Sequence, residues 1–152
     1  MGAAVRVVLD TNVLLSLFVF ADSRYAPLRG RLESGAWQAL TDPRCLHEFQ
    51  RVLTYPIFSL DAAAQAAAYE AYARLATVVA APAADPVELP ECEDPDDQKF
   101  LEVARDGHAQ WLVTSDKALL KLARRKKLAH LFGIVPPERA LEIGNARLAA
   151  AT

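Results

Sequence analysis

The sequence predicts an α/β fold: a three-layer α/β/α sandwich with a central parallel sheet. Two observations carry that expectation. Short apolar runs with the pattern of strands alternate with longer segments of helical period, and at least one helix separates each strand from the next, as a parallel crossover requires. The junctions after several strands also carry helix-capping residues, at "LDTN", "TDPR" and "TSDK".

Taken in order, Val5 to Leu9 is a continuous apolar run broken only by Arg6, the signature of a strand buried on both faces. Leu14, Leu15, Leu17 and Phe18 follow at helical spacing. Residues 24–35 read as a second helix stopped by Gly35, and "WQALT", 37–41, as a second strand. In "TDPRCLHEFQRVL", Thr41 or Asp42 caps a helix with Pro43 at its first position, and Tyr55-Pro56 ends it. The alanine-rich stretch from Asp61 to Ala76 favours helix by composition, and Tyr69, Tyr72 and Leu75 give it a packing side. "TVVAA", 77–81, is the next strand, and 82–96 a loop rich in proline and acid. A helix from about Pro95 to Arg105, a strand at 111–114, a helix from Ser115 to about Lys126, a last strand near 131–135 and a helix beginning at Pro136 complete the series. No internal repeat or second domain is visible. The expected unit is one domain over 1–145 with a tail at 146–152.

A chain of 152 residues is long enough to enclose a core. Its net charge of -2 and pI near 5.9 exclude a general polyanion binder, so contact with nucleic acid requires a local basic patch. Cys45 and Cys92 match neither a zinc spacing nor a disulfide framework and read as half-buried small hydrophobes. No basic leader or membrane-length apolar run is present, so the expectation is a cytoplasmic protein with no membrane contact.

Carboxylates recur where this architecture gathers ligands, at the carboxyl ends of the strands and the amino ends of the helices that follow. Asp10 ends the first strand, and Asp116 follows "WLVT". Asp94 reads as a cap with Pro95 behind it, which puts Asp97 in the first turn on the stripe shared with Phe100, Leu101 and Ala104. Glu48 lies one turn into its helix among Cys45, Phe49 and Val52. Singly, each acid has an ordinary explanation as a cap, a dipole partner or, for Glu48, an ion pair with Arg44 or Arg51. Jointly they repel: two like charges about 4 Å apart cost something like 4 kcal/mol at an effective dielectric near 20, unless protons or cations intervene. An all-oxygen donor set without organised His or Cys suits Mg²⁺ or Mn²⁺.

The segments "VVLDTNVLLS", "HEFQRVL", "DPDDQKFLEVA" and "WLVTSDKALLKL", in this order across nearly the whole chain, resemble the PIN-domain nucleases, and most of all their bacterial branch described as toxins of toxin-antitoxin pairs. The resemblance implies a Mg²⁺ or Mn²⁺ dependent ribonuclease whose catalytic and metal-binding acids fall at Asp10, Glu48, Asp97 and Asp116, with Asn12 and Thr114 supporting the site. Ser115 and Lys117, beside Asp116, are further candidates for substrate contact. Many relatives carry another acid two residues after the one matching Asp116. This chain has Ala118 there, which leaves one or two metal ions as alternatives.

The dense basic run "KLARRKK", 121–127, reads either as a solvated helix end or as a surface that follows RNA phosphates. His47, His108 and His130 are scattered and lack a catalytic setting. Trp37 and Trp111 open strands and are expected to pack. The expected function is hydrolysis of RNA phosphodiester bonds, with a small antitoxin and a second copy of the chain as candidate protein partners. The alternative is a catalytically weak or inactive scaffold that binds RNA or a protein. A phospho-receiver reading needs an acceptor aspartate at a central strand tip, and "TVVAAPAA" offers none.

Overall fold

The computed structural model describes residues 4–82 and 85–143. The strands are β1 (Val5–Leu9), β2 (Trp37–Thr41), β3 (Ala76–Val78), β4 (Trp111–Val113) and β5 (Gly133–Val135). The helices are α1 (Thr11–Phe18), α2 (Ala26–Ser34), α3 (Pro43–Leu53), α4 (Ala62–Leu75), α5 (Gln98–Asp106) and α6 (Lys117–Lys121), with residues 137–143 forming α7. All strand pairs are parallel, in the order β3-β2-β1-β4-β5. The predicted three-layer α/β architecture is therefore the observed one. The expected tail at 146–152 lies outside the described residues.

Strand alternation builds two cores. Val7, Leu9, Ala39 and Val113 face one layer, where Leu14, Leu28, Phe49, Leu53 and Tyr72 pack. Val8, Leu40, Leu112 and Ile134 face the other, against Phe100, Leu101, Val103, Leu128 and Phe132. The central strands β1, β2 and β4 are thus covered on both sides, which accounts for apolar runs that do not alternate with polar residues, whereas the edge strand β3 leaves Thr77 and Val78 exposed. Arg6 is tolerated in β1 because its guanidinium donates to the Gly107 carbonyl at 2.9 Å and to Gln38 Oε1 at 3.3 Å.

Several boundaries differ from the sequence expectation for physical reasons. The strand expected at 77–81 ends at Val78, because its single neighbour β2 ends at Thr41, whose carbonyl takes a last bond from Val79 N–H at 2.8 Å. The strand expected from 131 begins at Gly133, where pairing with Trp111 begins, and Leu131 still belongs to a turn closed on Leu128. A side chain at Gly133 would collide with the Trp111 ring at 2.5 Å, so glycine is required for that pairing. The helix expected at 24–35 starts with a 3₁₀ turn, Ser23–Tyr25, and stops at Gly35 with φ +84°. Pro95–Asp97 is likewise a 3₁₀ turn capped by Asp94. The helix expected to reach Lys126 ends at Lys121 and gives way to 3₁₀ turns at Leu122–Arg124 and Lys126–Leu128. Like charges spaced three and four apart in "KLARRKK" work against a longer helix.

Strand order fixes where a ligand can sit. From β1 the chain winds outward through β2 to β3, then α5 carries it back across the sheet to β4, on the other side of β1. The winding direction reverses between β1 and β4, and a crevice opens at the carboxyl ends of those two strands.

Candidate active site

Asp10 stands at that crevice. Its backbone N–H still bonds to the Val113 carbonyl at 3.2 Å, while its carboxylate caps α1 by accepting from Val13 N–H at 2.9 Å. The Thr114 hydroxyl donates to the other carboxylate oxygen, and Thr114 Oγ1 accepts from Asp116 N–H at 3.0 Å. Thr114 is fully buried, so its hydroxyl serves Asp10 and the Asp116 backbone and makes no contact with solvent or substrate. Asp116 caps α6 through Oδ1, which accepts from Ala118 and Leu119 N–H at 2.8 and 3.3 Å. The ordinary capping role and membership of an acid cluster therefore coexist in Asp10 and Asp116.

Glu48 reaches the same place from the middle of α3. The Thr11 hydroxyl donates to Oε2, and the Lys99 ammonium lies 2.7 Å from Oε1, both ends of the ion pair being mostly buried. Lys99 also donates to the Asp96 carbonyl and lies 5.0 Å from the Phe100 ring centre. Neither Arg44 nor Arg51 pairs with Glu48: Arg44 bridges Asp42 and Glu102. Asp97, half-buried at the junction of its 3₁₀ turn with α5, completes the set.

A cleft of about 270 Å³ is lined by Asp10, Glu48, Asp97 and Asp116 together, with Thr11, Asn12, Tyr55 and Phe58 on its walls. Larger cavities lie elsewhere. The one of about 460 Å³ beside β3 has its charged groups already paired, Arg44 with Asp42 and Glu102, and Arg105 with Asp106.

The electrostatics of the cleft are those of crowded anions. Burial pushes the Asp10 carboxyl up to about 6, aided by the charges of Asp116 and Glu48 and opposed by the hydrogen bonds from Thr114 and Val13. Burial also raises Asp97 to about 6, with Asp94, Asp116, Asp10 and Glu48 adding to the effect. The donor chemistry suits a hard divalent cation, which would offset both the burial of charge and the added repulsion that raise these two groups. As they stand, no three His, Cys, Asp or Glu side chains among the described residues are arranged around a common ion position. Both Glu48 oxygens are engaged, by Thr11 and Lys99, so a cation binding Glu48 would compete with the Lys99 ammonium for it.

Of the other residues singled out in the sequence, Asn12 is exposed on the cleft wall, and Ser115 and Lys117 are exposed at the start of α6. His47, His108 and His130 are exposed and away from the cleft. Trp37 is buried, with Arg31 over its ring at 5.4 Å, and Trp111 is half-buried against Gly133. Burial raises the thiol of Cys45 and pushes that of Cys92 up to about 11, with nearby Asp97 adding to it, so neither is a poised nucleophile. Sequence reasoning missed Lys99, Thr11, Tyr55 and Phe58. Thr11 was open to view in "DTN", next to the acid. Lys99 was hidden because position 99 falls well off the stripe of Asp97, and only a long flexible stem brings its ammonium to Glu48.

The chain matches no curated protein and no solved structure. A family model described as PIN domain matches residues 6–118, which contain all four acids and well over half of the chain. Members of that family are generally nucleases, and with this extent of match the chain belongs to the PIN domain family.

Proposed function

We propose that the chain is a cytoplasmic ribonuclease that hydrolyses RNA phosphodiester bonds with Mg²⁺ or Mn²⁺ held by Asp10, Glu48, Asp97 and Asp116. The observation that carries this reading is the single cleft lined by those four carboxylates at the winding reversal of the sheet. A bound divalent ion would supply an acidified water and would stabilise negative charge on the phosphoryl oxygens. The chain's own residues do the positioning. Thr114 and the first turn of α1 hold Asp10, Thr11 holds Glu48, and the first turn of α6 holds Asp116. Asn12, Ser115 and Lys117, all exposed at or next to the cleft, supply hydrogen bonds and charge to phosphate oxygens. Beyond Lys117, a shallow groove lined by Lys117, Leu120, Lys121 and Arg124 gives the strand a basic path away from the acids. Water adds across the P–O bond: its oxygen attacks phosphorus in line, and its proton ends on the departing oxygen.

The decisive experiment incubates purified protein with RNA and DNA of one sequence in Mn²⁺ or EDTA, alongside Asp97→Asn. Cleavage of RNA that requires Mn²⁺ and is lost in the variant is the expected result. Cleavage that persists in EDTA or in Asp97→Asn means a contaminant, and a folded protein that binds RNA without cutting it returns the chain to the scaffold reading. The toxin role rests on the resemblance described above. It predicts that expression arrests growth, that Asp97→Asn does not, and that a small antitoxin encoded beside it restores growth.

A further inference from the structure

An acidic cleft on a chain of net charge -2 offers RNA little general attraction, so affinity has to come from local features. One such feature is the apolar rim of the cleft. Tyr55 and Phe58 line the same cleft as the four carboxylates. Phe20 meets Phe58 with ring centres 5.8 Å apart and planes tilted by 59°, yet Phe20 is 59% exposed and Tyr55 43% exposed. Ile57, between Tyr55 and Phe58, is 84% exposed. Large apolar side chains grouped at a polar cleft are uncommon on a surface without a partner. Both ring-bearing segments are also held in unusual backbone: Ala21, after Phe20, has φ +47°, and Ser59, after Phe58, has φ +51°, although neither is glycine.

We propose that Phe20, Tyr55 and Phe58 form a stacking subsite for an unpaired nucleobase next to the phosphate held in the cleft. The proposal rests on the nuclease reading and names how that site selects its substrate. Continuity with the acids sets the occupant's chemistry, since whatever touches these rings must also present a phosphate to Asp10, Glu48, Asp97 and Asp116. A base stacked inside a duplex cannot offer its face to a ring at the cleft wall, whereas a base in a single strand can. Stacking is uncharged, so the rim supplies affinity that salt does not screen, while the groove of Lys117, Lys121 and Arg124 supplies affinity that it does.

The test measures fluorescence anisotropy in EDTA, where the strand stays intact, with a short single-stranded RNA, the same strand carrying abasic sites, and its duplex. Wild type should bind the intact strand best. Phe20→Ala combined with Tyr55→Ala should weaken that binding about 5-fold to 100-fold, leave abasic binding unchanged, and leave the slope of affinity against salt unchanged. Tyr55→Phe, which keeps the ring, should bind as wild type and shows that the position tolerates change. Unaltered affinity in the double variant, equal loss for intact and abasic strands, or a wild type that binds no single strand each overturns the subsite. So does a rim that is instead buried against a second copy, seen as concentration-dependent dimerisation in wild type and not in the double variant, with RNA binding unaffected. Manganese-dependent cleavage is scored separately, and its persistence beside a failed stacking test removes the subsite alone.

Discussion

Asp10 performs two tasks that substitution can separate. Asparagine caps a helix about as well as aspartate: its amide oxygen still accepts from Val13 N–H, and its NH₂ group, in place of the second carboxylate oxygen, donates to Thr114 Oγ1 where aspartate accepted, so Asp10→Asn removes charge and keeps the cap. Without metal at pH 7, Asp10→Asn should be more stable than wild type by roughly 1–3 kcal/mol, the order of the energy needed to ionise a carboxyl raised to about 6. Asp10→Ala also loses the cap, about 0.5–2 kcal/mol, and should be less stable than Asp10→Asn by about that amount. Urea unfolding of the three proteins in EDTA checks the order, and an Asp10→Asn protein weaker than wild type removes the repulsion account. Lys99 gives the converse case. Lys99→Met leaves Glu48 without its cation, so the metal-free protein should lose about 1–3 kcal/mol, yet it should take up Mn²⁺ more tightly because nothing competes for Glu48. Titration calorimetry with Mn²⁺ reads this directly, and unchanged or weaker uptake would show that Lys99 does not compete. The four acids were legible in the sequence because each sits at a junction or on a stripe whose geometry follows from short-range rules. Their counter-ion was not, because a lysine stem spans several ångströms in directions that the backbone period does not set.

Among the elements, central ones were easier to read than peripheral ones. β1, β2, α3 and α4 fall within a residue of their expected bounds, where capping aspartates, proline at the first turn and a two-sided apolar run agree with one another. β3 and the segment after α6 did not, because their limits depend on where a neighbour ends and on repulsion between cations. The altered course of "KLARRKK" has a functional corollary. With α6 reduced to Lys117–Lys121, the cations that share a groove with Lys117 are Lys121 and Arg124, while Lys127 pairs with Glu88 at 2.8 Å. Replacing Lys121 and Arg124 by Gln should therefore flatten the salt dependence of RNA binding by up to about two counterions, and replacing Lys127 by Gln should leave it nearly unchanged. Equal slopes for the two variants would return the whole run to a solvated surface.

For the molecule as a whole, the raised carboxyls make stability depend on pH with a definite sign. Asp10 and Asp97 titrate near 6 in the folded chain and near 4 when unfolded, so between those values the folded form holds more protons. Their contribution is fully present below about pH 4 and is lost as pH rises through 6. The metal of the proposed function would reverse the trend, because it would require the deprotonated acids and would stabilise by mass action, about 2.7 kcal/mol at a hundredfold excess over Kd. Thermal melts across pH 4 to 8 should show the gap between Mn²⁺ and EDTA opening through pH 6, and nearly closing in Asp10→Asn at every pH. A gap independent of pH would mean that the ion binds elsewhere.

The reversal of winding between β1 and β4 divides the cleft between two lengths of chain. Asp10 and Glu48 come before β3, Asp97 closes the connection from β3 to α5, and Asp116 follows β4. While the chain is being synthesised, the emerging part holds two of the four acids and no partner for β1 on its β4 side, so the proposed activity should be absent from it. If the chain is cut between β3 and α5, neither fragment should cleave RNA alone, and the two expressed together should recover activity to the extent that β1 and β4 pair again. On the proposed reading, the four acids come together only once Asp116 has been added, more than a hundred residues after Asp10.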